Sequence, residues 1–281
     1  MRDEAIRLSG RRVLITGAAR GIGAALARRL HDRGAEVALA GIEPELLAEV
    51  ASSCGGAPWQ ACDVTSRDEV DAAVSTAVEA LGGLDVVVAN AGVAGQLPIV
   101  GGNPAVMERT LAVNVMGVYN TLRAAGPHIS HERGYALAVS SLAAALHLPL
   151  LGAYCASKAA VEALGDSLRA ELRPSGARVG VAYFAELDTD MTSRGFGTQA
   201  AAQLTRGLGV GRPAKLEVGI DALERGIARR SRRIVAPRWV AALLPTRMLV
   251  QPVIERVLER RLAPVLAIAR EEDAPLTTPQ P

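Results

Sequence analysis

The sequence predicts an α/β fold, a parallel sheet whose strands are joined by crossover helices and covered on both faces. Three observations carry this. Short β-rich apolar runs alternate with longer helical patterns along most of the chain. The runs are nearly continuous, as in Val13-Leu14-Ile15-Thr16 and Asp85-Val86-Val87-Val88-Ala89-Asn90, which is how a strand buried on both faces reads. With 49% hydrophobic and 21% charged residues among 281, the chain can bury a sizeable core, and global disorder is excluded.

Taken in order, strands are expected at 12–16, 36–40, 59–62, 84–89, 135–140 and 178–183. Helices are expected near 22–33, 44–53, 67–80, 104–130 and 153–172. The Gly-rich stretch 195–213 reads as a mobile loop with one short helix, and a seventh strand follows at 233–236. Beyond it lies a Pro-punctuated amphipathic segment, helix-like over 246–270, and the tail 271–281 reads as disordered. The expected organisation is therefore 1–237 as one domain, 238–270 as a basic amphipathic extension and 271–281 as a tail.

Composition narrows the function classes. A net charge of +2 gives no case for a nucleic-acid partner. No apolar stretch precedes the first strand, so no leader is expected, and no long uncharged apolar run predicts a spanning helix. Cys54, Cys62 and Cys155 form no C-x-x-C pair, which argues against a disulfide framework or zinc and fits a reducing cytoplasm. His31, His128, His131 and His147 show no ligand spacing, so no metal is expected. Only Lys158 and Lys215 are lysines, against 29 arginines. Residues 225–270 hold eleven arginines and two glutamates, a net of +9, so the remainder is net negative.

The first strand runs into Thr16-Gly17-Ala18-Ala19-Arg20-Gly21-Ile22-Gly23 and then a helix. Absent side chains let a backbone turn approach a pyrophosphate, and a helix N-terminus supplies free N–H groups and positive dipole. A glycine turn can also serve packing alone; its place after the first strand favours a dinucleotide. Tyr154 and Lys158 are four apart, so a helix puts them on one face. A phenol beside an ammonium is a usable general acid/base, and a compact ammonium serves a phenol and a ribose where a guanidinium fork would not. The plainer alternative is a surface Tyr–Lys pair. Ser141, at the carboxyl edge of the fifth strand, is placed to hydrogen-bond a substrate oxygen or merely its own backbone, and Ser140 competes with it.

These motifs resemble the short-chain dehydrogenase/reductase family. Thr16 to Gly23 matches its T-G-x-x-x-G-x-G, Asn90-Ala91-Gly92 its N-A-G, Asn114 the Asn of its long helix, and Ser141, Tyr154 and Lys158 its Ser–x12–Tyr–x3–Lys. The resemblance covers about residues 11–237. It implies a Rossmann-type, doubly wound, three-layer α/β/α domain with a seven-stranded parallel sheet in the order 3-2-1-4-5-6-7, followed here by a C-terminal helical extension. It also implies pyridine-nucleotide redox chemistry on alcohols and carbonyls. Catalytic roles then fall to Asn114, Ser141, Tyr154 and Lys158. Asn114 would hold a water that links Lys158 to solvent, or bridge helix to strand as a buried amide. Cofactor contacts fall to Gly17, Ala19, Arg20, Gly21, Ile22, Gly23, Gly41, Ile42, Asp63, Val64, Asn90, Ala91, Gly92, Leu187 and Thr189, with Tyr154 and Lys158. Asp63 matches the adenine-contacting Asp but would also serve as a helix cap, as would Thr65 or Ser66.

The chain departs from the family after the sixth strand and at the end of the second. Phe184-Ala185 stands where Pro-Gly is usual, with Leu187 and Thr189 retained and Glu186 unexpected beside the site. Gly41 stands where NAD-specific members carry Asp. With Arg20 in the cradle this favours NADP, while Glu43 nearby leaves NAD open. Val93, Leu97, Ile99, Ala143, Leu146, Leu148, Leu150, Leu151, Phe184 and Met191 are candidate apolar walls, with Phe196 on the lid, which predicts a lipophilic alcohol or carbonyl substrate. The expected protein is a cytoplasmic, NADP-preferring homodimer or homotetramer. Its basic end packs on the domain or a mate, or lies on an anionic membrane with Trp239 at the interface. The rival reading from another class is an idle dinucleotide sensor.

Overall fold

In the computed structural model, which describes residues 7–189, 191, 198–206, 213–272 and 276, seven strands make one parallel sheet. They are β1 (Arg12–Thr16), β2 (Glu36–Gly41), β3 (Trp59–Ala61), β4 (Val86–Ala89), β5 (Tyr135–Val139), β6 (Arg178–Phe184) and β7 (Arg233–Ala236), in the order β3-β2-β1-β4-β5-β6-β7. The helices are α1 (Gly21–Asp32), α2 (Pro44–Ser53), α3 (Arg67–Leu81), α4 (Pro104–Leu111), α5 (Gly117–Ile129), α6 (Gly152–Glu171), α7 (Gln199–Thr205), α8 (Leu216–Arg229) and α9 (Val240–Glu271).

The period-two geometry of each strand makes the three layers. Val13 and Ile15 of β1 face one side and pack with Leu26 of α1, Leu47 of α2 and Leu223 of α8. Leu14 faces the other side and packs with Val74 of α3, Leu122 of α5 and Val161 of α6. Local chemistry sets the helix ends. Ser66 caps α3 through the Glu69 amide, Asp68 and Glu69 meet the positive dipole end, and Gly82 closes the helix at φ +68°. The chain leaves β1 toward β2 on one side and reaches β4 on the other, so a crevice opens at the carboxyl ends of β1 and β4.

Two elements differ from the sequence reading. The expected helix 104–130 is broken by a π-helical turn, Ala112–Met116, between α4 and α5. The wide turn holds Asn114 wholly buried, and its amide makes three hydrogen bonds there that offset the looser backbone. The C-terminal helix begins at Val240 and is longer than 246–270; Pro245, Pro252 and Pro264 all lie at exposed positions on it.

That helix is fastened to the domain. Leu258 and Val265 pack with Leu150, Ala200 and Leu204. The Glu272 carboxylate accepts from the first amides of α7, Gln199 at 2.7 Å and Ala200 at 3.0 Å, and Arg261 donates to Leu204 O and Arg206 O at its other end. Both dipole ends of α7 thus meet complementary charge from α9 and its flank. Of the tail 271–281, Glu271, Glu272 and Leu276 are described, and Leu276 packs partly buried against the second core.

Candidate active site

The cleft at the strand ends is built first from glycines. Gly17 turns out of β1 at φ +65°, and a Cβ there would stand 2.7 Å from Ala91 Cα. Gly21, at φ +55°, has only Thr189 within 4.0 Å of where a Cβ would be, so its backbone faces the cleft. The N-cap residue of α1, Arg20, makes no side-chain cap, which leaves the first amides of α1 free of one. Asn90 braces the turn: its Nδ2 donates to Thr16 O at 3.0 Å and Gly17 O at 3.2 Å, and its backbone amide to Thr16 Oγ1 at 3.1 Å. These features fit a dinucleotide pyrophosphate: close backbone, free N–H groups and a positive dipole end.

At one end of the cleft lie Gly41, Ile42, Asp63 and Val64. A Cβ on Gly41 would meet nothing nearer than 3.6 Å. Arg20 is not a free cation: its Nε donates to Glu43 Oε2 at 2.7 Å and its Nη2 to the other carboxylate oxygen. Asp63 does not cap α3. It accepts from the Thr65 amide and hydroxyl and from Arg109 Nη2 at 2.9 Å. Burial works to raise the Asp63 carboxyl, but the Thr65 amide, Arg109 and the Thr65 hydroxyl outweigh it and hold the group below its ordinary value. Arg109 also lines the cleft, and sequence reasoning missed it.

At the other end, Ser141, Tyr154 and Lys158 line one wall. Ser140 is spent elsewhere, its buried hydroxyl donating to Lys158 O at 2.8 Å. Ser141 Oγ accepts from the Ala143 amide at 3.1 Å, donates to Phe184 O at 3.3 Å and shares a hydrogen bond with the Tyr154 hydroxyl. Lys158 is 4% exposed; its Nζ donates to Val139 O at 3.0 Å and stands 5.5 Å from the Tyr154 ring centre. Burial lowers its ammonium to about 8. Burial likewise pushes the Tyr154 phenol up to about 12, against the pull of Ser141.

Two predicted residues sit behind the cleft rather than on it. A Cβ on Gly23 would lie 2.2 Å from Gly17 O, so this glycine lets α1 pack on the turn. Asn114 Oδ1 accepts from the Val93 amide at 2.8 Å, and its Nδ2 donates to Val93 O and Ser157 Oγ, each at 2.9 Å. Gly92 lies between Asn114 and Lys158: a Cβ there would be 3.2 Å from Asn114 Oδ1 and 3.5 Å from Lys158 Nζ. Ala19, Ile22, Asn90, Ala91, Gly92, Leu187 and Thr189 all line the cleft.

The model of the family described as short chain dehydrogenase matches residues 11–200. The chain belongs to the short chain dehydrogenase family. It is 37% identical over 200 residues to glycine betaine reductase of Emericella nidulans, covering 69% of this chain and 16% of that protein. It is 37% identical over 178 residues to secoisolariciresinol dehydrogenase of Forsythia intermedia, covering 62% of this chain and 64% of that protein. The chain thus spans less than two thirds of the length of either relative. A short chain dehydrogenase/reductase from Burkholderia phymatum, solved in complex with NAD, superposes with a TM-score of 0.77 at 24% identity, covering 88% of this chain and 96% of that one.

Against the family pattern, the segment after β6 keeps its place. Phe184, Ala185, Glu186, Leu187, Thr189 and Met191 form the wall facing the glycine turn and Ser141, and Leu187 is pinned by a bridge to Ala214. Glu186 is exposed at the mouth and pairs with no base among the described residues; partial desolvation raises its carboxyl. The expected apolar walls are corrected. Val93, Phe184 and Met191 line the cleft, whereas Leu146 and Leu150 are buried in core, Leu97 and Leu151 pair across a bridge, and Ile99 and Leu148 are exposed. Ala143 does not line the cleft, and Phe196 lies outside the described residues. No group of metal-ligating side chains occurs among the described residues.

Proposed function

We propose that the protein is an NADP(H)-preferring oxidoreductase that interconverts a lipophilic secondary alcohol and its ketone or aldehyde. The observation that carries this is the meeting of Ser141, Tyr154 and Lys158 at one end of a cleft whose other parts fit a dinucleotide. A bound nicotinamide dinucleotide supplies or accepts the hydride. The chain does the rest. In reduction, Tyr154, kept protonated by burial, gives its proton to the substrate oxygen as charge builds there. Ser141 hydrogen-bonds the same oxygen. In oxidation Tyr154 must first become phenolate, and the Lys158 ammonium favours that form. Asn114 holds the Val93 backbone behind Lys158, while Arg20, Gly21 and Ile22 receive the pyrophosphate, and Asp63 and Val64 the adenine. Val93, Phe184 and Met191 give the substrate side its apolar character.

Gly41 supports NADP because it puts no negative charge at the end of β2. A 2′-phosphate must take Arg20 from Glu43, and that ion pair favours NAD as a second reading. Gly41→Asp adds a carboxylate where the Cβ meets only ordinary contacts, so the NADP-to-NAD ratio of kcat/KM should fall about tenfold or more. An unchanged ratio means that the ribose is read elsewhere. The substrate class is tested by following NADPH absorbance with purified protein and a panel of secondary alcohols and ketones graded in apolar surface. Turnover confined to polar members, or cofactor binding without any turnover, overturns the reading.

The working form is a cytoplasmic homodimer or homotetramer. The buried free thiols support a reducing compartment, and the exposed Met116 and Tyr119 beside and on α5 support a contact between copies.

A further inference from the structure

Only one face of α9 packs on the domain. Leu258, Leu262 and Val265 turn inward to α7 and Leu150. On its other side Met248, Leu249, Val253 and Val257 are 51–81% exposed, and Trp239, just before the helix, is 54% exposed. A run of large apolar side chains on one exposed helix is more than the scattered singles of an ordinary surface. Helical spacing continues the Leu249–Val253 face into Arg256 and Arg260.

Arg260 opens on a small cavity with Arg206 and Arg261, between α7 and α9. No carboxylate among the described residues pairs with these three guanidinium groups. Glu255 and Glu259 stand on the flank of the same helix, and Glu255 is taken by Gln251. Arg261 is engaged by Leu204 O and Arg206 O, whereas Arg256 and Arg260 are exposed and complementary to phosphate oxygens.

The loops leaving the site also expose apolar side chains. Ile99, Val100 and Leu148 are 84%, 75% and 37% exposed. Their two loops are joined by the Leu97 amide donating to Leu150 O at 2.9 Å. The second loop is tied to α9 by reciprocal hydrogen bonds between Gln251 and the His147 backbone. No described helix is long and apolar enough to cross a membrane.

We propose that α9 docks on an anionic phospholipid bilayer, with Leu249 and Val253 entering the headgroup boundary and Arg256 and Arg260 meeting lipid phosphates. This goes beyond the oxidoreductase reading and does not depend on it.

The test is co-sedimentation of the full chain with vesicles of phosphatidylcholine alone or mixed with phosphatidylserine, at low and high salt. Wild type should pellet with the mixed vesicles at low salt and bind about tenfold more weakly at high salt. Arg256→Glu with Arg260→Glu, and separately Leu249→Asp with Val253→Asp, should each weaken binding about tenfold. Melting temperature and NADPH binding should stay unchanged, because these side chains are exposed. Three results overturn the proposal: wild type left in the supernatant with anionic vesicles at low salt, equal binding to neutral vesicles, or a Leu249→Asp, Val253→Asp protein that halves its mass in sedimentation velocity while its vesicle binding is unaltered, which assigns the face to a second copy.

Discussion

The two ends of the cleft handle charge in opposite ways. At the end built by Gly41, Glu43 and Asp63, both carboxylates are gripped by guanidinium groups from elsewhere in the chain, Arg20 and Arg109. At the end built by Ser141, Tyr154 and Lys158, the titratable groups are buried, and the hydrogen bonds of Lys158 go to a backbone carbonyl rather than to an acid. The first arrangement holds Asp63 ionised and is suited to binding. The second lifts a phenol from 10.0 to about 12 and lowers an ammonium from 10.5 to about 8, each toward its neutral form, and is suited to moving a proton. One cleft thus binds where carboxylates are paired with guanidinium groups and reacts where titratable groups are buried.

The largest break in this contrast is Tyr154→Phe. It deletes the transferable proton and leaves the paired end untouched, so kcat should fall by about 10²–10⁴ while the Kd for NADPH stays within about twofold. Stopped-flow turnover and fluorescence titration check both halves.

Lys158→Met should also remove turnover, yet it should stabilise the protein. The Lys158 value is lowered on folding from 10.5 to about 8, so between those values the unfolded chain binds more protons and wild-type stability rises with pH. Below pH 8 the buried ammonium costs stability, and the methionine removes that cost. Thermal melts at pH 7 should show Tm raised by several degrees, since each kcal/mol is worth about 2–4 °C at this size. The gap should close as pH approaches 10.5.

Arg109→Ala touches only the paired end. Asp63 then loses its guanidinium and its carboxyl moves back up, and the KM for cofactor should rise by about three- to tenfold with kcat within twofold. A kcat loss as large as that of Tyr154→Phe would erase the division between the two ends.

How much of this was legible follows from the range of the interactions. The strands could be read because both faces of β1 and β4 are buried and therefore apolar throughout. Tyr154 and Lys158 could be read because four residues make one helical turn. Arg109 could not, because it meets Asp63 from 46 residues away, across a chain reversal with no local signature. The π-helical turn was hidden for a similar reason: the partners that make it worthwhile, Val93 and Ser157, lie 21 and 43 residues from Asn114. The apolar walls were over-assigned because hydrophobicity marks burial without saying whether a core or a cleft does the burying; Leu150 went to the small core under α9. Arg20 and Glu43 lie 23 residues apart, and only the fold shows that they pair.

The most direct test of the central claim is a difference titration of the Tyr154 phenol. Absorbance near the phenolate band is recorded against pH for wild type minus Tyr154→Phe, first for the free protein and then with oxidised NADP. Burial predicts that Tyr154 stays a phenol in the free protein through at least pH 10 and that the bound nicotinamide cation, with Lys158 beside the ring, brings its ionisation down. A free-protein phenolate forming below pH 9, or a midpoint that the cofactor leaves unmoved, would contradict the account.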